Sequence, residues 1–190
     1  MFTAQWFRFG GSVAHTLMRR YVAARAAVSK KDLYMLNIRP ARIEDICVLK
    51  KLQFQLTEYH KANLPDDFLS PEEIEQKIDL HKIIESESSI FLVAESNGHL
   101  VGFVFGELWV RKSWTLKQRK IASIEQIVVD SCFRSQGVGL ALIETFEERA
   151  ISNGGEELFL EVYSFNESAL GLYRKAGIAP KILIGQKALS

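Results

Sequence analysis

Apolar and polar positions along this chain switch several times between a period of two and a period near 3.6, the marks of strand and helix respectively. Leu36 to Arg39 is predicted as a short strand, stopped by Pro40. From Ile43 to His60 the period is helical, with Ile46, Leu49, Leu52, Phe54 and Leu56 supplying much of the apolar side. Lys61 to Phe68 is a polar loop, and a second helix opens at Ser70-Pro71-Glu72-Glu73, with Ser70 as N-cap, Pro71 at the first helical position and Glu73 closing a capping box. Two strands follow, Ile90 to Ser96 and His99 to Trp109, joined by Asn97-Gly98, a dipeptide suited to the positive backbone angles of a type I′ turn. After a basic loop comes a β-branched strand, Ala122 to Asp130, and then a helix from Gly137 to Ser152 that places Leu142, Ile143, Phe146 and Ala150 on one side. Strand Leu158 to Tyr163, helix Glu167 to Ala176 and a last strand near Lys181 to Ile184 complete the pattern. Strands alternating with helices around one central hairpin imply an α/β (α+β) fold with a mixed sheet covered by helices.

Composition narrows the class without deciding it. In 190 residues, 47% hydrophobic content supports one domain with a full core and a modest appendage. A formal net charge of +1 gives no global pull toward nucleic acid or membrane. Cys47 and Cys132 are too few for a disulfide framework, and the scattered histidines show no metal-ligand spacing, so the expectation is a reducing compartment and no metal. No apolar run approaches the roughly 20 residues that span a bilayer.

Residues 1–34 stand apart as an N-terminal extension, with the domain expected at 35–190. Through Lys31 the extension holds no Asp or Glu but carries Arg8, Arg19, Arg20, Arg25, Lys30 and Lys31. On a helix, Val13, Leu17, Tyr21, Ala24 and Val28 share one side. That make-up fits an organelle transit peptide, and hence a mitochondrial matrix location. Met35, just before the first strand, is an equally good start, and a cytoplasmic location then follows.

The candidate chemistry sits between the fourth strand and the next helix. Asp130-Ser131-Cys132-Phe133 leads into Arg134-Ser135-Gln136-Gly137-Val138-Gly139 and a helix start. A helix N-terminus offers unpaired N–H groups and a positive dipole end, so it attracts phosphate. Gly137 and Gly139 remove Cβ atoms that would keep a diphosphate off that backbone, and Arg134 can add a bidentate contact. Glycines at a helix start also serve plain tight packing. The Gly-Lys-Ser/Thr of a P-loop and the Gly-x-Gly-x-x-Gly of a dinucleotide fold are both missing.

Ile124-Glu125-Gln126-Ile127-Val128-Val129, the Arg134-x-x-Gly137-x-Gly139 loop and Asn166-x-x-Ala169-x-x-Leu172-Tyr173-x-Lys175-x-Gly177, in that order and spacing, resemble the GNAT superfamily of N-acetyltransferases. Ile38-Arg39-Pro40-Ala41 followed by Glu44-Asp45 is similar to the start of that fold, and the resemblance covers about residues 36–180. It implies a mostly antiparallel sheet with splayed strands forming a coenzyme cleft, and acetyl-CoA as co-substrate. The backbone of Ile127, Val128 and Val129 would pair with the pantetheine arm like an added strand. Pyrophosphate would lie on the amides of Ser135, Gln136, Gly137, Val138, Gly139 and Leu140, beside Arg134. Glu125 matches the family's general base, made more basic by apolar neighbours and acting directly or through a water; an exposed strand residue or a structural hydrogen-bond acceptor is the plainer alternative. Tyr173 matches the general acid for the departing thiolate and also fits as a core tyrosine. Asn166 would cap its helix and touch the coenzyme.

Some positions depart from the family. Ile178 replaces a usual phenylalanine, Ala179-Pro180 follows, a proline is missing between Asp130 and Phe133, and the short tail would truncate the last strand. The acceptor is expected to be an amine, on a small molecule or a protein, bound by the first two helices, their loop and a final hairpin. Asp66 and Asp67, flanked by Tyr59, His60 and Phe68, are candidates to attract it. Nucleic acid and membrane partners are not expected, and a homodimer is allowed. Two rivals stay open: a covalent route through Cys132, and a non-catalytic acyl-CoA sensor on the same fold.

Overall fold

The computed structural model describes residues 36–187, so the 1–34 extension lies outside the described residues. Among them, five strands form one sheet in the order β1-β2-β3-β4-β5. They are β1 (Asn37–Pro40), β2 (Ser89–Ser96), β3 (His99–Val110), β4 (Lys120–Val129) and β5 (Glu157–Leu160). The first three pairings are antiparallel and β4 with β5 is parallel: the alternation implied a mixed sheet, and the family resemblance a mostly antiparallel one. Helices α1 (Ile46–Asn63), α2 (Pro71–Lys77) and α3 (Leu80–Glu85) come between β1 and β2. Helix α4 (Val138–Ser152) joins β4 to β5, and α5 (Glu167–Lys175) follows.

The local signals explain most boundaries. Asn97 and Gly98 have φ of 50° and 75°, the two positive angles of a type I′ turn. Ser70 Oγ accepts from the Glu73 N–H at 3.2 Å while Glu73 Oε2 accepts from the Ser70 N–H at 2.8 Å, so the capping box is complete. That helix stops at Lys77, and α3 restarts at Leu80 because Asp79 accepts from the Lys82 N–H at 3.2 Å. The expected strand near Lys181 to Ile184 does not form. Residues 178–187 carry no regular structure, and Ile182, Leu183 and Ile184 are exposed, so the final hairpin expected beside the acceptor is absent from the described residues.

Alternation along β3 gives the sheet two different faces. Phe103 and Phe105 pack with Leu49 and Leu52 of α1, Leu80 of α3, Phe91, Val93 and Val128. On either side of this pair, Gly102 and Gly106 face α4, since a Cβ on them would lie 3.4 Å from Leu142 Cδ1 and 2.8 Å from Phe146 Cζ. Phe54, expected on the apolar side of α1, is instead exposed, while Gln53 and Thr57 take buried positions.

The start of α1 is pinned by charge. Arg39 on β1 holds Asp45 through both guanidinium ends, at 2.8 and 3.0 Å, and reaches Glu95 on β2 at 3.0 Å. Asp45 also accepts from the Arg42 N–H at 2.8 Å. Burial pushes the Asp45 carboxyl up, but the hydrogen bonds from Arg39 and Arg42 outweigh it and leave the carboxyl below its ordinary range. A carboxyl held low when folded adds stability above its unfolded pKa and loses it as pH falls through the folded value. Asp45→Asn is therefore expected to cost about 2 kcal/mol near neutral pH. The gap to the parent chain should close as pH falls below about 4, which urea midpoints measured across that range would show.

Candidate active site

The β4 strand carries one residue too many for β3. The ladder pairs Phe105 with Gln126 and Gly106 with Ile124, leaving Glu125 without a partner on β3. Such a bulge bends its strand and re-aims the side chain at the extra position. The parallel ladder with β5 ends at the same place, its last pair being Ile124 with Leu160. Beyond it β4 runs on to Val129, so among the described residues Gln126 to Val129 have no strand partner on the side away from β3. Gly106 makes this approach feasible, because a Cβ there would lie 1.9 Å from the Ser123 carbonyl oxygen.

The bulge exposes Glu125, against the expectation that apolar neighbours would enclose it. Its Oε1 accepts from Ser123 Oγ at 2.5 Å. Val128 is buried in the core on the α1 side, while Ile127 and Val129 are half-buried. Helix α1 lies over this end of β4. Gln53 Nε2 donates to Gln126 Oε1 at 3.3 Å, and Gln55 Nε2 donates to Asp130 Oδ2 at 3.2 Å. Asp130 is 2% exposed and its Oδ1 accepts from the Cys132 N–H at 2.9 Å, fixing the turn that leaves the strand. Sequence reasoning passed over these glutamines. The available signal was that Gln53 and Thr57 share the helical register of Leu49, Leu52 and Leu56.

After the turn Ser131–Phe133, the loop takes left-handed angles at Ser135 (φ 60°) and Gly137 (φ 89°). Alternating handedness curls successive N–H groups toward one point, as in anion-binding nests. Gly137 is the N-cap of α4 and no side chain caps that helix, whereas Asn166 Oδ1 caps α5 by accepting from the Ala169 N–H at 3.1 Å. The first-turn amides of Val138, Gly139 and Leu140 therefore have neither an intrahelical acceptor nor a side-chain cap. A Cβ on Gly137 would meet nothing within 4 Å, so open space lies beside those amides. Gly139 differs: a Cβ there would come 3.0 Å from Leu172 Cδ2, so its bareness serves packing against α5. Arg134 Nε donates to the Val129 carbonyl at 3.1 Å and Gln136 Nε2 to the Cys132 carbonyl at 2.8 Å, tying the loop to the strand end.

Tyr173 follows Leu172 on α5 and is 8% exposed. Burial pushes its phenol up to about 12, so it stays protonated at neutral pH. The structure thus brings Ile127 to Val129, the Arg134 to Leu140 loop and the Leu172 region of α5 into one neighbourhood. On the α1 side Tyr59, His60 and Phe68 come together with Tyr163 and Phe165, two rings not singled out from the sequence.

Residues 55–178 match the Acetyltransferase (GNAT) family. The chain belongs to this family. An uncharacterized N-acetyltransferase of Methanocaldococcus jannaschii is 32% identical over 103 residues, which are 54% of this chain and 44% of that protein. The chain thus spans less than half the length of that relative. Among solved structures, a mutant of the BH1408 protein from Bacillus halodurans has a TM-score of 0.71 at 23% identity, covering 81% of this chain and 99% of that one. AAC(6')-Iy in complex with the bisubstrate analog CoA-S-monomethyl-acetylneamine has a TM-score of 0.62 at 15% identity, with coverage of 81% and 99%. These likenesses are of the GNAT fold, and the family match makes the chain a member of the GNAT acetyltransferase family.

Gly106→Ala should force β3 and β4 apart at the bulge of this GNAT sheet. The expected cost is about 2 kcal/mol or more, read as a fall in the urea midpoint. A midpoint equal to the parent's would mean that the ladder tolerates a side chain there.

Proposed function

We propose that this acetyltransferase moves an acetyl group from acetyl-CoA to a primary amine, most simply that of a small molecule, by direct transfer in a ternary complex. The observation that carries the reading is the coincidence of the Glu125 bulge, the end of the β4–β5 ladder and an uncapped helix start a few residues on. Pyrophosphate would rest on the amides of Ser135 to Leu140, with the Arg134 guanidinium beside it. The backbone of Ile127, Val128 and Val129 would pair with the pantetheine amides as an added strand, since among the described residues no β-strand competes for that edge. The Val129 carbonyl already accepts from Arg134, but a carbonyl has two lone pairs and can accept a second donor. Asn166 Oδ1 serves as the helix cap, which leaves its amide nitrogen for the coenzyme.

In the reaction, the amine nitrogen forms a bond to the acetyl carbon and the carbon–sulfur bond breaks. Glu125 would take the ammonium proton, directly or through a water, and its exposure suits an acceptor that arrives from solvent. Tyr173 would face the leaving sulfur. A phenol near 12 holds its proton roughly a thousandfold more tightly than a thiol of ordinary acidity, about 8.5. Tyr173 therefore acts chiefly as a hydrogen-bond donor that stabilises the thiolate, and net proton delivery to sulfur follows separately. AAC(6')-Iy, bound to its CoA-containing analog, supports the choice of coenzyme. We place the catalytic domain at residues 35–190.

Release of free coenzyme thiol on mixing acetyl-CoA with amines tests this directly. Tyr173→Phe is expected to lower kcat by about a hundredfold while isothermal titration shows coenzyme affinity nearly unchanged. Cys132→Ala should keep turnover. The opposite pattern, with Cys132 essential and Tyr173 dispensable, would establish the covalent route, and coenzyme binding without thiol release from any amine would indicate a sensor.

A further inference from the structure

The two faces of the sheet give the gap beyond Ile124 two entrances. On the α4 side lies the Gly137 loop. On the other, α1 is fixed above Gln126 and Asp130 through Gln53 and Gln55. Further along α1, Tyr59 and His60 reach the segment that continues from β5. Tyr59 lies 5.9 Å from Phe165, and His60 lies 5.7 Å from Tyr163. Phe68, from the loop after α1, stacks on His60 at 4.9 Å and 19° and meets Tyr163 edge-on at 5.1 Å. Tyr163 and Phe165 stack in turn at 5.6 Å and 24°. Five rings from three separate segments thus bridge the α1 side of the gap.

This group differs from the core aromatics. Phe91, Phe103 and Phe146 are buried, whereas none of the five bridging rings is, and Tyr163 is 46% exposed. The exposed carboxylates of Asp66 and Asp67 stand just before Phe68. His60 adds no opposing charge, because burial lowers its basicity and leaves the imidazole neutral at neutral pH. A half-open surface of ring faces and edges rewards a flat apolar body, and aromatic faces with nearby carboxylates favour an attached ammonium. It offers few fixed hydrogen-bond partners for a polyhydroxylated acceptor.

We infer that Tyr59, His60, Phe68, Tyr163 and Phe165 form the acceptor platform, and that its preferred acceptor class is a primary amine carried on an aromatic ring system. This rests on the acetyl-transfer reading above, deepening it from amine in general to arylalkylamine. Tyr163 and Phe68 are the specificity-determining rings, since they meet edge to face and come from separate segments, one after β5 and one after α1.

The test uses the full chain loaded with coenzyme A and titrated calorimetrically with 2-phenylethylamine, 2-cyclohexylethylamine, spermidine and kanamycin. 2-Phenylethylamine is expected to bind tightest, with Tyr163→Leu and Phe68→Leu each weakening it about tenfold relative to spermidine. Tyr163→Leu replaces a half-exposed ring, and unchanged coenzyme affinity in both variants would show that they fold. Thiol release should follow the same order, with the loss in KM rather than kcat. Tighter binding of spermidine or kanamycin, or an equal loss for every amine, would overturn the platform. If 2-phenylethylamine binds as expected but no amine releases thiol, the platform stands and acetyl transfer to these amines fails.

Discussion

Strand β4 serves two neighbours whose requirements diverge at Glu125. Toward β3 it must absorb an extra residue, and toward β5 it must stop pairing after Ile124. A bulge meets both conditions, because the bend that accommodates the extra residue also turns the strand away from its parallel partner. Gly106 is what lets β3 stay close across the bend, with no room for even a methyl group beside the Ser123 carbonyl. Without that geometry the sheet would close as an ordinary parallel pair. The loop at Gly137 would then remain an isolated helix start with no open strand edge leading to it.

The two faces of the sheet carry separate duties. The α1 side holds the dense apolar core around Leu49, Leu52, Phe91 and Phe103, and Arg39 fixes where that helix begins. The buried polar residues of α1, Gln53 and Thr57, occur where the helix crosses the end of β4 that β5 leaves unpaired, so the departure from apolar packing coincides with the opening. The α4 side presents bare amides at Val138 to Leu140 and places α5 against Gly139. A long ligand with an anionic head and an acyl end could pass between the two faces, and a second reactant could meet it from the α1 side.

Much of this was legible in the residues because it depends on local chemistry. Asn97-Gly98, the Ser70 capping box and the periodicity of α4 each name a backbone conformation without help from distant contacts. The order of the Glu125, Arg134 to Gly139 and Asn166 to Tyr173 segments carried the family resemblance, which the comparisons bear out. What escaped was set by tertiary contact. The bulge depends on a register between β3 and β4, which no single strand encodes. The exposure of Glu125 follows from that register, since its apolar neighbours alone argued for enclosure. Ile182 to Ile184 have strand-like residues, yet β-propensity is realised only when a partner edge is taken up, and here none is. The ring cluster joins residues about a hundred positions apart in sequence, beyond the reach of any local pattern.

If the bulge opens an edge of β4 for a coenzyme whose diphosphate rests on the start of α4, bound coenzyme A must shield both segments. Amide hydrogen exchange resolved by residue, with and without coenzyme A, addresses it most directly. New protection is expected within Ile127 to Val129 and at Val138, Gly139 and Leu140, with the first stretch of β4, Ile121 to Ile124, unchanged. Protection confined to the ring cluster, or no change at either the β4 edge or the loop, would contradict it.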